Sequence, residues 1–164
     1  MNCIDTAIDV RLGEELDKNK LALYLKDNLC DFKGGIDIKH FPGGFSNLTY
    51  LIKFNKREYV LRRPPFGANI KSAHDMSREF DVLSLLEPVY SKIPKPIIFC
   101  GDNKVIGSPF FLMERVKGVI LRNKIPQGLD LTPQHFEQLS IRSIENLVDL
   151  NNLELKKYNL ISLG

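Results

Sequence analysis

Phe41-Pro42-Gly43-Gly44-Phe45-Ser46-Asn47-Leu48-Thr49 is the stretch whose reading decides the fold. It separates two strand-like runs, residues 36–41 and 48–54. Paired glycines between strands tolerate positive φ and let main-chain amides come close to a bound group. Ser46 and Asn47 add short hydrogen-bonding side chains at the tip. Successive amides in such a loop suit phosphate oxygens. An ordinary hairpin turn also favours Gly-Gly, so the loop by itself leaves both readings open.

On the N-terminal side, Asp17 is placed to cap a helix over residues 17–30, with Leu21, Tyr24, Leu25 and Leu29 on one face. Gly34-Gly35 is expected to end it. Ile36, Ile38 and His40 alternate with Asp37 and Lys39, the pattern of a half-buried strand. His40 reads as a strand residue rather than a catalytic base. Residues 1–15 carry little periodic signal and are expected to run over the surface. On the other side, residues 48–54 form a second strand, Asn55-Lys56-Arg57 the turn, and residues 58–62 a third strand. Pro64-Pro65 stops it.

Residues 72–86 read as a helix ended by Pro88, with Met76, Phe80, Leu83 and Leu86 on its apolar face. At about 100° per residue, Glu79 falls inside that stripe. A carboxylate on a packed face needs a partner, because burying it alone is costly. Asp75, Arg78 and Asp81 lie off the stripe and are expected to be solvated. A fourth strand spans residues 95–100, and Val105-Ile106-Gly107 is expected to pair briefly. Phe110-Phe111-Leu112-Met113 has the unbroken apolarity of a buried strand. It gives way to Glu114-Arg115-Val116-Lys117-Gly118, which suits a hinge between two lobes or a simple exit loop. Thr132-Pro133 opens a helix reaching residue 151 or 152. Phe136, Leu139, Leu147 and Leu150 share one of its faces, which predicts self-association or contact with a second lobe.

Composition narrows the classes. An apolar content of 43% and a charged content of 26% are ordinary for a globular domain. A net charge of +3 is too small to argue for nucleic acid. No apolar run is long enough to span a bilayer. Asp5, Asp9, Arg11 and Glu14 interrupt any signal-peptide pattern. Cys3, Cys30 and Cys100 are odd in number and lack metal-ligand spacing, which reads as free thiols in a reducing cytoplasm.

The order of strand, Gly loop, two strands, helix, two strands, hinge and helix is that of a protein-kinase-like small lobe. The third strand reads Tyr59-Val60-Leu61-Arg62. In kinases this strand carries a lysine that touches the α- and β-phosphates and pairs with a helix glutamate. Arg62 stands at the lysine position, and Glu79 is the helix carboxylate in need of a partner. Val60, two residues before Arg62, shares its face. A one-residue slip of register would hand the role to Arg63.

The sequence resembles the aminoglycoside phosphotransferase/choline kinase-like superfamily. Within it, the chain is similar to the branch of kinase-like domains fused to some acyl-CoA dehydrogenases. The match rests on residues 41–50, on Tyr59-Val60-Leu61-Arg62-Arg63-Pro64-Pro65, on Arg78-Glu79-Phe80, on Val105-Ile106-Gly107, and on residues 110–122. The resemblance implies an α+β fold: a protein-kinase-like N-terminal lobe with an antiparallel five-stranded sheet and a packed helix, followed by the start of a C-terminal lobe. Expected bounds are residues 1–118 for the first lobe and 119–164 for the rest. It implies ATP below the Gly loop, with Gly43, Gly44, Ser46 and Asn47 toward the phosphates and Arg62 and Glu79 as the ion pair. Val60 would lie against adenine, Met113 at the back of the pocket, and Glu114 and Val116 main-chain groups at the adenine edge.

The family's His-Gly-Asp loop, downstream Asn and metal-binding Asp belong to a second lobe. Asp31-Phe32-Lys33-Gly34 precedes the Gly loop and is out of order, and His74-Asp75 lacks the Asn at the right distance. The expectation is therefore the nucleotide-binding part of an ATP-dependent kinase acting on a small-molecule hydroxyl, truncated, inactive alone, with no catalytic residue and no Mg²⁺ ligands of its own. A cytoplasmic chain without nucleic-acid or membrane partners is expected. The alternatives are a non-catalytic nucleotide-binding or interaction module and an incomplete gene product.

Overall fold

Strands β2 (Leu48–Phe54) and β3 (Arg57–Arg63) form the hairpin around which the sheet is built. In the computed structural model, residues 4–43, 46–67, 75–122, 124–158 and 160–163 are described. The hairpin turns on Asn55 and Lys56, whose φ angles of 49° and 61° are both positive. Turns of this kind match the twist of the strands they join, and asparagine tolerates the conformation better than most residues. The register that follows runs from Phe54 opposite Arg57 to Leu48 opposite Arg63. Strands β1 (Asp37–His40), β4 (Pro96–Cys100) and β5 (Phe110–Glu114) complete a five-stranded sheet in the order β1-β2-β3-β5-β4. Every neighbouring pair is antiparallel.

Alternation sends Tyr50, Ile52, Phe54, Tyr59, Leu61, Phe110 and Leu112 to one side of this sheet, where they form a buried core with Leu21 and Leu25. The two leucines come from helix α1 (Lys18–Asn28), capped by the Asp17 carboxylate, which accepts from the Lys20 N–H at 3.0 Å. Tyr24 sets its ring edge-on to Phe110 at 5.6 Å and donates its hydroxyl to the Phe99 carbonyl. The helix ends at Asn28, before the Gly34-Gly35 pair, because Leu29 is already extended. On the opposite side lies helix α2 (Met76–Leu86), whose Phe80 ring stands 6.0 Å from Phe99 and 6.1 Å from Phe111. The expected helical start at Ser72 lies outside the described residues. Asp75 caps the observed start by accepting from the Arg78 N–H at 3.0 Å.

One expectation is corrected. Val105-Ile106-Gly107 does not pair as a strand. It belongs to a short helix α3 (Asn103–Ile106), capped by Asp102 and ended by Gly107 at φ 83°. Side-chain capping and a left-handed glycine outweigh the β preference of Val and Ile. Residues 4–15 are exposed or half-buried, as expected of a surface run, and add an edge pairing to the sheet. Ile8 exchanges both main-chain hydrogen bonds with His40 at 2.8 Å, and Leu16 joins the core.

The chain divides into two compact units, Thr6–Ser84 with Pro94–Val116, and Met1–Asp5 with Leu85–Ile93 and Lys117–Gly164. In the second, helix α4 (Pro133–Asn151) starts with Thr132 as N-cap and proline behind it. Lys92 meets Asp149 at 2.8 Å and the Asn146 side chain at 2.5 Å, and Tyr90 donates to the Asn146 carbonyl. Phe136, Leu139, Leu147 and Leu150 are all exposed. No helix among the described residues is long and apolar enough to cross a membrane.

His40 is 3% exposed, with Nε2 3.6 Å from the Glu14 carboxylate and the Tyr50 ring at 5.5 Å. Burial pulls its pKa below the ordinary 6.5, against the attraction of Glu14 and with help from Arg11. The unfolded chain therefore takes up this proton first. Stability is full above 6.5, declines as pH falls below it, and levels off once the folded imidazole is also protonated. Thermal unfolding across this range will show that slope in the wild type and a flatter one in His40→Gln, whatever the variant's absolute midpoint.

Candidate nucleotide-binding cleft

Arg62 stands near the end of β3, opposite Phe111 of β5, and Val60 stands opposite Met113. These four share the face that looks toward α2. Glu79 lies in the first turn of α2. Its Oε2 is 3.4 Å from Arg62 Nη1, so the ion pair required by the misplaced carboxylate is formed. Asn47 completes the group by donating its amide N–H to Glu79 Oε1 at 2.7 Å. Both charged side chains are about one-third exposed, 34% for Arg62 and 33% for Glu79. Water screens such a pair, and its net contribution to stability is about 1 kcal/mol. Arg62 Nε is buried without a hydrogen-bond partner among the described residues. An unmade hydrogen bond on a buried charged group is destabilising until some oxygen supplies a partner.

The neighbouring arginine goes the other way. Arg63 is 2% exposed on the core face of the sheet. It donates to the carbonyls of Ile106 and Pro64, both at 3.0 Å, and its guanidinium lies 3.7 Å from the centre of the Phe66 ring. Burial lowers its pKa, with Tyr50 opposing. The two arginines thus face opposite ways: Arg62 lines the cleft, and Arg63 ties the last residue of α3 to the sheet.

The cleft between α2 and the sheet has a volume of about 560 Å³. Its walls are Val82, Leu83, Pro94, Phe111 and Met113, with Arg62 and Glu79 at its polar end and Asp75 and Arg78 beside them. Of the residues singled out in the sequence, Arg62, Glu79 and Met113 line this space, and Asn47 reaches it through Glu79. Val60 and Glu114 lie further along the β3–β5 pair, and Val116 follows just beyond the end of β5. Gly43 is half-buried and Ser46 exposed, whereas Gly44 lies outside the described residues. Sequence reasoning missed Phe111 and Arg78 as lining residues. The alternation of β5 against Arg62 was the signal for Phe111. Asp75 and Arg78 are exposed, as expected, yet they border the cleft. Among the described residues, no three His, Cys, Asp or Glu side chains gather to hold a metal.

Fold and cleft together define a kinase-like phosphotransfer module. The model of the "Phosphotransferase enzyme family" matches residues 37–156, and the chain belongs to that family. A solved structure from Ralstonia eutropha, described as an aminoglycoside phosphotransferase, superposes with a TM-score of 0.71 at 22% identity, covering 92% of this chain and 42% of the other. Human acyl-CoA dehydrogenase family member 11 is 32% identical over 154 residues, or 92% of this chain and 20% of its own length. Mouse acyl-CoA dehydrogenase family member 10 is 31% identical over 156 residues, or 94% of this chain and 14% of its own length. The chain thus spans a fifth or less of these curated relatives. The resemblance to kinase-like domains joined to acyl-CoA dehydrogenases stands on these matches.

Proposed function

We propose that this chain forms the nucleotide-binding roof of an ATP-dependent phosphotransferase whose acceptor is a hydroxyl group on a small molecule. The observation that carries the reading is the Arg62–Glu79–Asn47 group, which holds a guanidinium at the polar end of a cleft with apolar walls. Arg62 presents a planar, always-charged fork suited to phosphate oxygens. Glu79 fixes its direction, and Asn47 fixes Glu79. Gly43, Gly44 and Ser46 would give loop amides to the phosphates. Val60 and Met113 would bound the base, and the main chain at Glu114 and Val116 would meet its edge.

ATP bound here supplies the transferable phosphoryl group. Transfer also needs charge neutralisation by metal ions and a residue that orients the nucleophile. The described residues present no cluster of three His, Cys, Asp or Glu side chains fit to hold Mg²⁺. Those groups belong to the second lobe that the family resemblance implies, which the exposed apolar face of α4 would help to bind.

The test is titration of the chain with ATP, together with an ATP-consumption assay with and without a separately made second lobe. Weak binding, no turnover alone and turnover after mixing are expected. Absence of binding both alone and with the second lobe would overturn the reading. Turnover by the chain alone, free of contaminating kinase, would show that it carries catalytic residues not assigned here. Binding without turnover in the mixture would favour a non-catalytic nucleotide-binding module.

A further inference from the structure

Arg115 is the second residue of the hinge segment, and nothing in the kinase-like pattern assigns its side chain a role. That side chain is only 12% exposed. Its Nη1 donates to Glu58 Oε2 at 2.8 Å, and its main-chain N–H donates to the Glu58 carbonyl at 3.3 Å. The other Glu58 oxygen lies 3.0 Å from Lys53 Nζ. The Arg115 guanidinium also lies over the Phe41 ring, 5.3 Å from its centre. Phe41 is the first residue of the Gly-loop stretch, 9% exposed, and its N–H is held by the Thr49 carbonyl at 2.9 Å.

The alternation of β3 puts Glu58 on the same face as Val60 and Arg62. The guanidinium thus closes one end of that face, between the hinge main chain and the root of the Gly loop. The exposed Arg122 by comparison meets Asp5 at 3.2 Å. A cation held by a carboxylate and placed over an aromatic ring is drawn to both.

We infer that Arg115 is a positioning residue that sets the spacing between the hinge edge and the Gly-loop root, and so the width of the slot for the nucleotide base. The inference rests on the nucleotide reading above and deepens it. The base end of the ligand depends on Arg115, whereas the phosphate end depends on Arg62. Preorganisation of this kind contributes to affinity by cutting the cost of ordering the site on binding. Loss of the clamp therefore weakens whatever has a base and spares whatever has only phosphates.

The experiment measures binding of ATP, and of inorganic tripolyphosphate, to the wild-type chain and to Arg115→Met, Arg115→Lys and Glu58→Gln. Arg115→Met lowers ATP affinity about tenfold and leaves tripolyphosphate affinity unchanged. Arg115→Lys restores part of the loss, because it keeps the charge on Glu58 without the planar fork. Glu58→Gln, which retains a neutral acceptor and the strand itself, shows an intermediate loss confined to ATP. If Arg115→Met and Glu58→Gln both bind ATP as the wild type does, the inference fails while the nucleotide reading stands. A parallel fall for ATP and tripolyphosphate in Glu58→Gln and Arg115→Lys would reduce Arg115 to a structural residue and also overturn the inference. A wild-type chain that binds neither ligand, alone or with the second lobe, removes the nucleotide reading and this inference with it.

Discussion

Arg63→Ala loses about 3 kcal/mol of folding stability, a large share of what a domain of this size possesses. Two losses add. The variant leaves a void beside Tyr50 and Phe66, and it strips the buried Ile106 carbonyl of its donor. Arg63→Met refills most of the volume but leaves the Ile106 and Pro64 carbonyls without this donor, so it loses about 1–2 kcal/mol. Urea unfolding followed by circular dichroism gives both numbers. A loss below about 0.5 kcal/mol in Arg63→Ala, the size of a surface substitution, would mean that the residue does not anchor α3.

Arg62→Met behaves in the opposite way. Its ion pair with Glu79 is a third exposed, so stability changes by about 1 kcal/mol or less. ATP affinity falls at least about tenfold, because one charge-assisted contact to phosphate is worth about 1.5–3 kcal/mol. Arg62→Lys keeps the charge but not the fork, and recovers only part of the affinity. Calorimetric titration of the two single variants separates the roles. Unchanged ATP binding in Arg62→Met, with a loss in Arg63→Met, would exchange the assignments of the two arginines.

Much of this arrangement was legible in the residues. Glu79 on an apolar helical stripe demanded a partner, and the strand alternation offered Arg62. Which arginine faced the cleft followed from the same alternation, but the fate of the other did not. Arg63 needs an acceptor at Ile106, in a segment whose Val-Ile pair reads as a strand. The Asp102 cap and the left-handed Gly107 that make it a helix were present, and local capping was the stronger signal. Asn47 was assigned by its place in the loop. Its bond to Glu79 comes from the packing of α2, which loop chemistry does not reveal. His40 was rightly kept as a strand residue, yet its neighbours Ile8 and Glu14 lie in a stretch without periodicity. Non-local pairing to an aperiodic segment leaves no trace in a sequence window.

The Asn55–Lys56 turn gives the chain a parity. Its two positive φ angles fix the phase of β3, so every odd-numbered residue from Tyr59 to Arg63 goes one way and every even-numbered one the other. Two arginines stand side by side at the end of that count. An insertion of one residue at the turn would exchange them, sending a core anchor into the cleft and the cleft's cation into the core. Length change here is therefore admissible only in steps of two. The identity of the cleft-facing cation is thus written at a hairpin at the other end of the strand, at Asn55 and Lys56.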